Sequence, residues 1–250
     1  MLADRYDGFL IDLDGVMYVG SQPVPGATEA IASLRDAGIP YRFLTNTSSA
    51  TREELVAKLD RIGITVDADE IISAAWATGR YLAKHDISSV AVIGNESLRT
   101  ELESSAVTIT DKDPAAVVVG HSSTIRYGDL TRGARLLHHG GCELIGVNGD
   151  PSVPRENGIV PGVGAILAAL ETAGGVEARI VGKPNRYLFE IGLAELAVDN
   201  VAMIGDMPSV DVVGAKQAGL EAILVGDREP GTSAAEQPDV RIPTIHELIK

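Results

Sequence analysis

The chain has 250 residues, 45% of them apolar, with a net charge of −14 and a sequence pI of about 4.7. That length suggests one large domain or two modest ones, with enough apolar material for a sizeable core. The charge lacks the basic stripe of a nucleic-acid binder, and no apolar run approaches the roughly 18 residues that span a bilayer, so neither nucleic acid nor membrane is an expected partner.

The chain reaches a charged stretch, DRYDG, within its first seven residues, so no signal-peptide apolar region is read there. Cys142 is the single cysteine, which excludes an internal disulfide and fits a reducing compartment. Together these predict a soluble, cytoplasmic protein. Residues 9–11 read as the core of a strand. Ile31, Leu34 and Ala37 share one face of a predicted helix over 26–38 that stops at Gly38. A strand over 40–45 follows. A helix over 49–63 comes next, with Ser49 or Thr51 as its cap and Glu54 three residues after Thr51. Strand, helix, strand, helix at this spacing argues for parallel pairing through crossover helices.

The stretch from about 80 to 178 reads as another αβ region. Its strands are 89–94, 115–120 and 142–147, and its helices include 127–141 and 162–175. The first rhythm then returns, with a strand over 178–182, a helix over 185–197, a strand over 200–205, a helix over 209–219 and a strand over 221–226. The loop 227–239 is polar and rich in breakers, so it reads as exposed, inert or functional alike. The tail 242–250 reads as a strand fragment and a short helix. The fold expected is α/β. A Rossmann-like parallel sheet is built from residues 1–79 and 179–250, with an α/β domain inserted over 80–178.

Ligands of parallel α/β sheets sit beyond the carboxyl ends of the strands. Asp12 and Asp14 fall at such an end, and residues two apart in an extended segment point the same way. Paired carboxylates repel, which raises one pKa or calls for a cation. In a phosphate site Mg²⁺ is the usual hard, oxygen-seeking ion. Alone, DLDG also reads as a polar turn. Three further strand ends bear on the choice. FLTNTSS (43–49) offers hydroxyls and backbone N–H groups, either a phosphate cradle or a helix cap. VGKPN (181–185) places Lys183 after a strand, and IGDMPSVD (204–211) places Asp206 and Asp211 after another. All four loops follow strands of one predicted sheet, and together they offer acids, a cradle and a cation.

The order DLDGV, LTNTSS, GKP, GDMPSVD resembles the four motifs of the haloacid dehalogenase (HAD) superfamily. The likeness is greatest to its NagD-type phosphatases of subclass IIA, which carry a large C2-type α/β cap. PVPGA (23–27) and the segment 146–166 extend it over nearly the whole chain. The resemblance implies a Mg²⁺-dependent phosphatase of small phosphomonoesters: sugar phosphates, glycerol phosphates, nucleoside monophosphates or pyridoxal phosphate. It implies Asp12 as the nucleophile that becomes an aspartyl-phosphate, and Asp14 as general acid and then base. It implies that Thr45 and the Asn46 N–H hold phosphoryl oxygens, and that Lys183 neutralises charge beside Asp12. Asp12, the Asp14 carbonyl and Asp206 would hold the metal, with Asp211 in its outer shell. The residue types suit that chemistry, since a carboxylate can attack phosphorus covalently and attack of one anion on another needs cations. One departure is Val210, where the family's last motif often has threonine before its second aspartate; this bears on how Asp211 is oriented.

The inserted domain is expected to act as a cap that excludes water and touches the leaving group. Asn148 and Asp150 resemble an Asn-x-Asp pattern of related caps and are candidate substrate contacts, although turn residues read the same way. Arg155 and Asn157 are further candidates. PGVGA (161–165) lacks the strand-then-GxGxxG order of a dinucleotide fingerprint. The five histidines, His138 and His139 among them, lack zinc-ligand spacing. Tyr127, Arg132 and Arg135 read as a solvated helix face more readily than as the fringe of a cleft. The expected partner is a small phosphorylated metabolite, and an exposed cap surface could support a homodimer. A phosphotransferase or mutase would need an acceptor other than water, for which nothing in the chain speaks. A phospho-ligand sensor would be favoured by loss of Asp12 or Asp14, and both are present.

Overall fold

The structure, a computed structural model, describes residues 1–138, 140–155 and 158–250, without the side chains of 154 and 155. His139, Asn157 and the Arg155 side chain, named above, therefore lie outside the described residues.

In chain order the first elements are β1 (Gly8–Ile11), the hairpin β2 (Tyr18–Val19) and β3 (Gln22–Pro23), α1 (Ala27–Asp36), β4 (Tyr41–Thr45), α2 (Arg52–Arg61) and β5 (Ile71–Ser73). Then come α3 (Ala74–Lys84), β6 (Ser89–Ile93), α4 (Glu96–Ser104), β7 (Thr108–Ile109), β8 (Ala116–Val119) and α5 (Tyr127–His138). After them lie β9 (Glu143–Gly146), β10 (Ser152–Arg155), β11 (Gly158–Pro161), α6 (Val163–Gly174) and β12 (Ala178–Ile180). The chain closes with α7 (Arg186–Leu196), β13 (Val201–Gly205), α8 (Val213–Gln217), β14 (Glu221–Val225) and β15 (Val240–Ile242).

These form two compact units. One comprises Met1–Thr45, Arg52–Ile72 and Lys183–Lys250; the other comprises Asn46–Thr51 and Ser73–Gly182. The first unit holds a six-stranded sheet in the order β15-β14-β13-β1-β4-β5. β1 is central and parallel to both neighbours, with Ile11 opposite Ile204 on β13 and Phe43 on β4. Every residue of β1 and β13 is buried, as expected of strands covered on both faces. α1 lays Ala27, Ala30, Ile31 and Leu34 into this core, and α7 lays Leu188, Phe189 and Leu196 there. The aligned register brings the residues after β1, β4 and β13 to one level.

The second unit holds a five-stranded sheet in the order β12-β9-β8-β6-β7, parallel in every pair. Its core joins Ile93, Val117, Val119, Leu144, Leu167 and Leu170. Sequence reading groups 178–182 with the first sheet, but β12 pairs with β9, Ala178 opposite Leu144. The cause is the crossover: β9 returns through α6 to a parallel neighbour in its own sheet. Likewise 209–219 is not one regular helix. A π turn over Pro208–Val212 precedes α8, closed by the Val213 N–H on the Pro208 carbonyl five residues earlier, and Asp211 caps its start, its N–H donating to the Met207 carbonyl at 2.7 Å and its Oδ2 accepting the Met207 N–H at 3.0 Å. No helix among the described residues is long and apolar enough to cross a membrane.

Candidate active site

Asp12 is the first residue past β1. Its N–H donates to the Ile204 carbonyl at 2.8 Å, which extends the β1–β13 ladder by one step and buries the carboxylate. Asp14 lies beyond it, exposed. Between that acid and the next strand end sits Gly15, at φ +85°, where a Cβ would stand 2.4 Å from the Asp206 carboxylate carbon. Both the left-handed backbone and the close approach exclude a side chain there. Gly205 plays the second such part: a Cβ on it would lie 2.2 Å from Cβ of Asp211. Gly15 lets the loop after β1 close on the loop after β13, and Gly205 lets the latter fold back on itself.

Lys183 supplies the cation. It follows β12 rather than a strand of the first sheet, yet its ammonium is buried in the first unit. Nζ lies 2.8 Å from Asp12 Oδ1 and 2.7 Å from Asp211 Oδ1, and it donates to the Leu44 carbonyl at 3.0 Å. Three acceptors around a three-donor ammonium are what a buried lysine requires. Burial pulls the Lys183 ammonium toward losing its proton, but Asp12 and Asp211 outweigh burial and hold it charged.

The carboxylates of Asp12, Asp206 and Asp211 each place an oxygen within 4.8 Å of the others. Burial pushes the Asp12 carboxyl above its ordinary range, Lys183 opposes this, and Asp211 and Asp206 push it further up. Asp206 is raised as well, first by burial and then by Asp211, against an ion pair with Arg228 at 3.2 Å. Acid groups forced upward together mark a site short of positive charge. A hard divalent ion with oxygen ligands fits that donor set.

Three contacts here escape sequence reading. Tyr18 is buried and gives its hydroxyl to Asp14 Oδ2 at a long 3.4 Å. Lys58 Nζ stands 3.5 Å from the centre of the Tyr18 ring. Burial lowers its pKa while the nearby Asp14 raises it. Arg228 comes from the loop that sequence reading leaves undecided between inert and functional. The contacts of Lys58 and Arg228 depend on approaches between distant segments, and that of Tyr18 on the turn that brings it back to Asp14 four residues earlier.

Thr45 ends β4, buried. Asn46 begins the segment 46–51, which folds with the second unit. Side-chain bonds within the second unit tether that segment. Asn148 Nδ2 donates to the Asn46 carbonyl at 2.9 Å, the His121 N–H to Ser48 Oγ at 2.8 Å, and Asn95 Nδ2 to the Ser49 carbonyl at 3.0 Å. Asn148 is itself buried and accepts the Asp150 N–H at 3.3 Å. The structure thus joins Asp12, Lys183, Asp206 and Asp211 directly, and joins Asn148 to Asn46 as a brace.

The chain is similar to known proteins over nearly its whole length. The family model of haloacid dehalogenase-like hydrolases matches residues 9–108, and a model of HAD-hydrolase-like proteins matches 180–248. A 5′-nucleotidase, YutF, of Bacillus subtilis is 33% identical over 98% of this chain and 98% of its own length. An acid sugar phosphatase of Staphylococcus haemolyticus is 34% identical over 88% of this chain and 85% of its own. Among solved structures, a magnesium complex of a glycerol phosphate phosphatase from Mycobacterium tuberculosis superposes with a TM-score of 0.91. It is 29% identical and covers 99% of this chain and 77% of that one.

Proposed function

Because the chain belongs to the haloacid dehalogenase-like hydrolases of NagD type, we propose that it hydrolyses small phosphomonoesters by double displacement on Asp12. An Asp12 oxygen attacks phosphorus as the ester P–O bond breaks, and the Asp14 carboxyl passes its proton to the departing alkoxide. Asp14, now ionised, takes a proton from water as that water attacks the aspartyl-phosphate. Inorganic phosphate leaves and Asp12 is restored. The exposure of Asp14 suits a group that must meet both leaving group and water.

Lys183 keeps Asp12 oriented and offsets its charge as a second anion approaches. The Thr45 hydroxyl and the Asn46 N–H hold phosphoryl oxygens. Asp12, Asp206 and the Asp14 carbonyl would hold Mg²⁺ with Asp211 behind them, and the ion when bound would supply positive charge to the phosphoryl oxygens. The relatives named above act on a nucleotide, a sugar phosphate and glycerol phosphate, so the substrate class is a small phosphorylated metabolite.

The observation that carries this reading is the buried ammonium 2.8 Å from Asp12 and 2.7 Å from Asp211, inside a three-carboxylate cluster. Phosphate release from p-nitrophenyl phosphate tests it. Turnover should require added Mg²⁺ and fall by at least about 10⁴-fold in Asp12→Asn, with an unchanged circular-dichroism spectrum. Normal hydrolysis by that variant removes Asp12 as nucleophile. Full activity in EDTA removes the metal.

A further inference from the structure

The second unit contains a polar cavity of about 270 Å³. It lies where β6 ends and α5 begins, and its lining includes Arg99, Arg126, Arg132, Asp129, Ser122 and Thr124. The topology explains why a cavity opens there. β6 runs through α4 to β7 on one side of the sheet, and β8 runs through α5 to β9 on the other. The chain therefore changes direction between β6 and β8. Open parallel sheets leave a ligand crevice beyond the strand ends at such a switch point.

The cavity's charge is the unusual part. In a chain of net charge −14, three guanidinium groups line the cavity with one carboxylate, Asp129, while a second, Asp111, pairs with Arg132. Arg99 Nη2 and Arg132 Nη2 both donate to the Val92 carbonyl, at 3.2 and 3.0 Å, which draws two like charges to a single oxygen. Arg132 also pairs with Asp111, and with Asp129 at 4.0 Å. Asp129 is occupied in capping α5, where its Oδ2 accepts the Arg126 N–H at 2.9 Å. Bracing the end of β6 accounts for Arg99 and Arg132. It does not account for Arg126, whose guanidinium makes no hydrogen bond or ion pair among the described residues. A guanidinium has five donors in a planar fork, so each of the three retains N–H groups that an oxyanion can take in pairs.

We propose that this cavity is a second anion site. It takes the phosphoryl group of a small metabolite, or free inorganic phosphate, between Arg126 and the Arg99–Arg132 pair, with the Ser122 and Thr124 hydroxyls at its edge. The chain's overall field opposes anions, so a cluster of local cations is the means available to hold one. Its lining residues all belong to the second unit, and none of them has a part in the reaction proposed above.

Isothermal titration on the full chain tests the idea. An Asp12→Asn background in EDTA prevents turnover and leaves the catalytic carboxylates without a metal to attract phosphate. The probes are inorganic phosphate and glycerol phosphate. One saturable site is expected at low ionic strength, weakened by salt and by about tenfold or more when Arg126→Glu is added. Arg126 is exposed, so that variant should fold, and circular dichroism checks it. Equal affinity for both probes identifies free phosphate as sufficient, whereas binding of glycerol phosphate alone identifies an ester ligand. No binding below about 10 mM, or the same affinity with and without Arg126→Glu, overturns the proposal.

Discussion

The two units build the same kind of object and charge it oppositely. Each ends parallel strands in polar loops at one edge of its sheet. In the first unit those loops gather Asp12, Asp206 and Asp211 around a buried lysine. In the second they gather Arg99, Arg126 and Arg132, two of them on the Val92 carbonyl, with the carboxylates of Asp129 and Asp111 beside Arg132. Strand-end geometry is therefore generic, and burial decides its consequences. The Lys183 ammonium is 2% exposed and cannot trade its partners for water. Arg126 is open to solvent and can. Loss of the lysine from the first cluster should accordingly damage both stability and turnover, while substitutions in the second should change ligand affinity and little else.

Lys183→Met gives that contrast its hardest test. The substitution leaves Asp12 and Asp211 buried with no cation between them. Breaking a buried pair by removing one partner costs about 3–5 kcal/mol. For a chain of this size that lowers the melting temperature by roughly 6–20 °C, read by calorimetry against Arg126→Ala, which should stay within about 0.5 kcal/mol of the parent. kcat should fall by at least about 10²–10³-fold. A Lys183→Met protein that melts with the parent would mean that burial does not separate the two clusters.

Much of the first cluster is legible in the sequence because its residues are anchored to strand ends. Asp12 follows four buried residues, and Asp206 follows five. The sheet to which each strand belongs is not legible in the same way. Lys183 follows β12, a strand of the second sheet, and still reaches Asp12. β5 is three residues long, too short for periodicity to register, and α3 follows it without a loop. The segment 46–51 reads as a strand-end loop running into a helix cap at Ser49 or Thr51, and nothing in that reading shows that it folds with the second unit, held by side chains and backbone from near residues 95, 121 and 148. The π turn at Pro208–Val212 rests on a backbone bond from Val213 to the Pro208 carbonyl five residues earlier, which helical periodicity does not record. Arg126 carries no local signal at all, since its significance depends on Arg99 and Arg132 converging from two helices.

Asp14→Asn sharpens the contrast from within the first unit, because this acid is exposed where its neighbours are buried. Stability should stay within about 0.5 kcal/mol, while kcat falls by roughly 10²–10⁴-fold. The decisive reading is the leaving group. p-Nitrophenolate departs without a proton, so the loss on p-nitrophenyl phosphate should be smaller than on glycerol phosphate, whose alkoxide needs one. Equal losses on both would assign Asp14 to the water-activating step alone.

The smallest effect should come from Asn148→Ala, which tests whether a brace in the second unit matters to the loop proposed to hold phosphoryl oxygens. Its amide donates to the Asn46 carbonyl at 2.9 Å, and removing it strips a half-buried acceptor of that bond. A lost hydrogen bond of this kind costs about 1–3 kcal/mol. Part of it should appear as a lower melting temperature and part as a looser Asn46 N–H. KM for p-nitrophenyl phosphate should rise by about three- to tenfold, with kcat changed less, because ground-state and transition-state phosphoryl oxygens would lose the same donor. Asn148→Asp keeps the shape but replaces a donor with an anion facing a carbonyl, so it should raise KM further than alanine does. If Asn148→Asp instead matched the parent in KM while Asn148→Ala did not, shape rather than the donated bond would be what holds the loop, and the brace would have to be reassigned to packing.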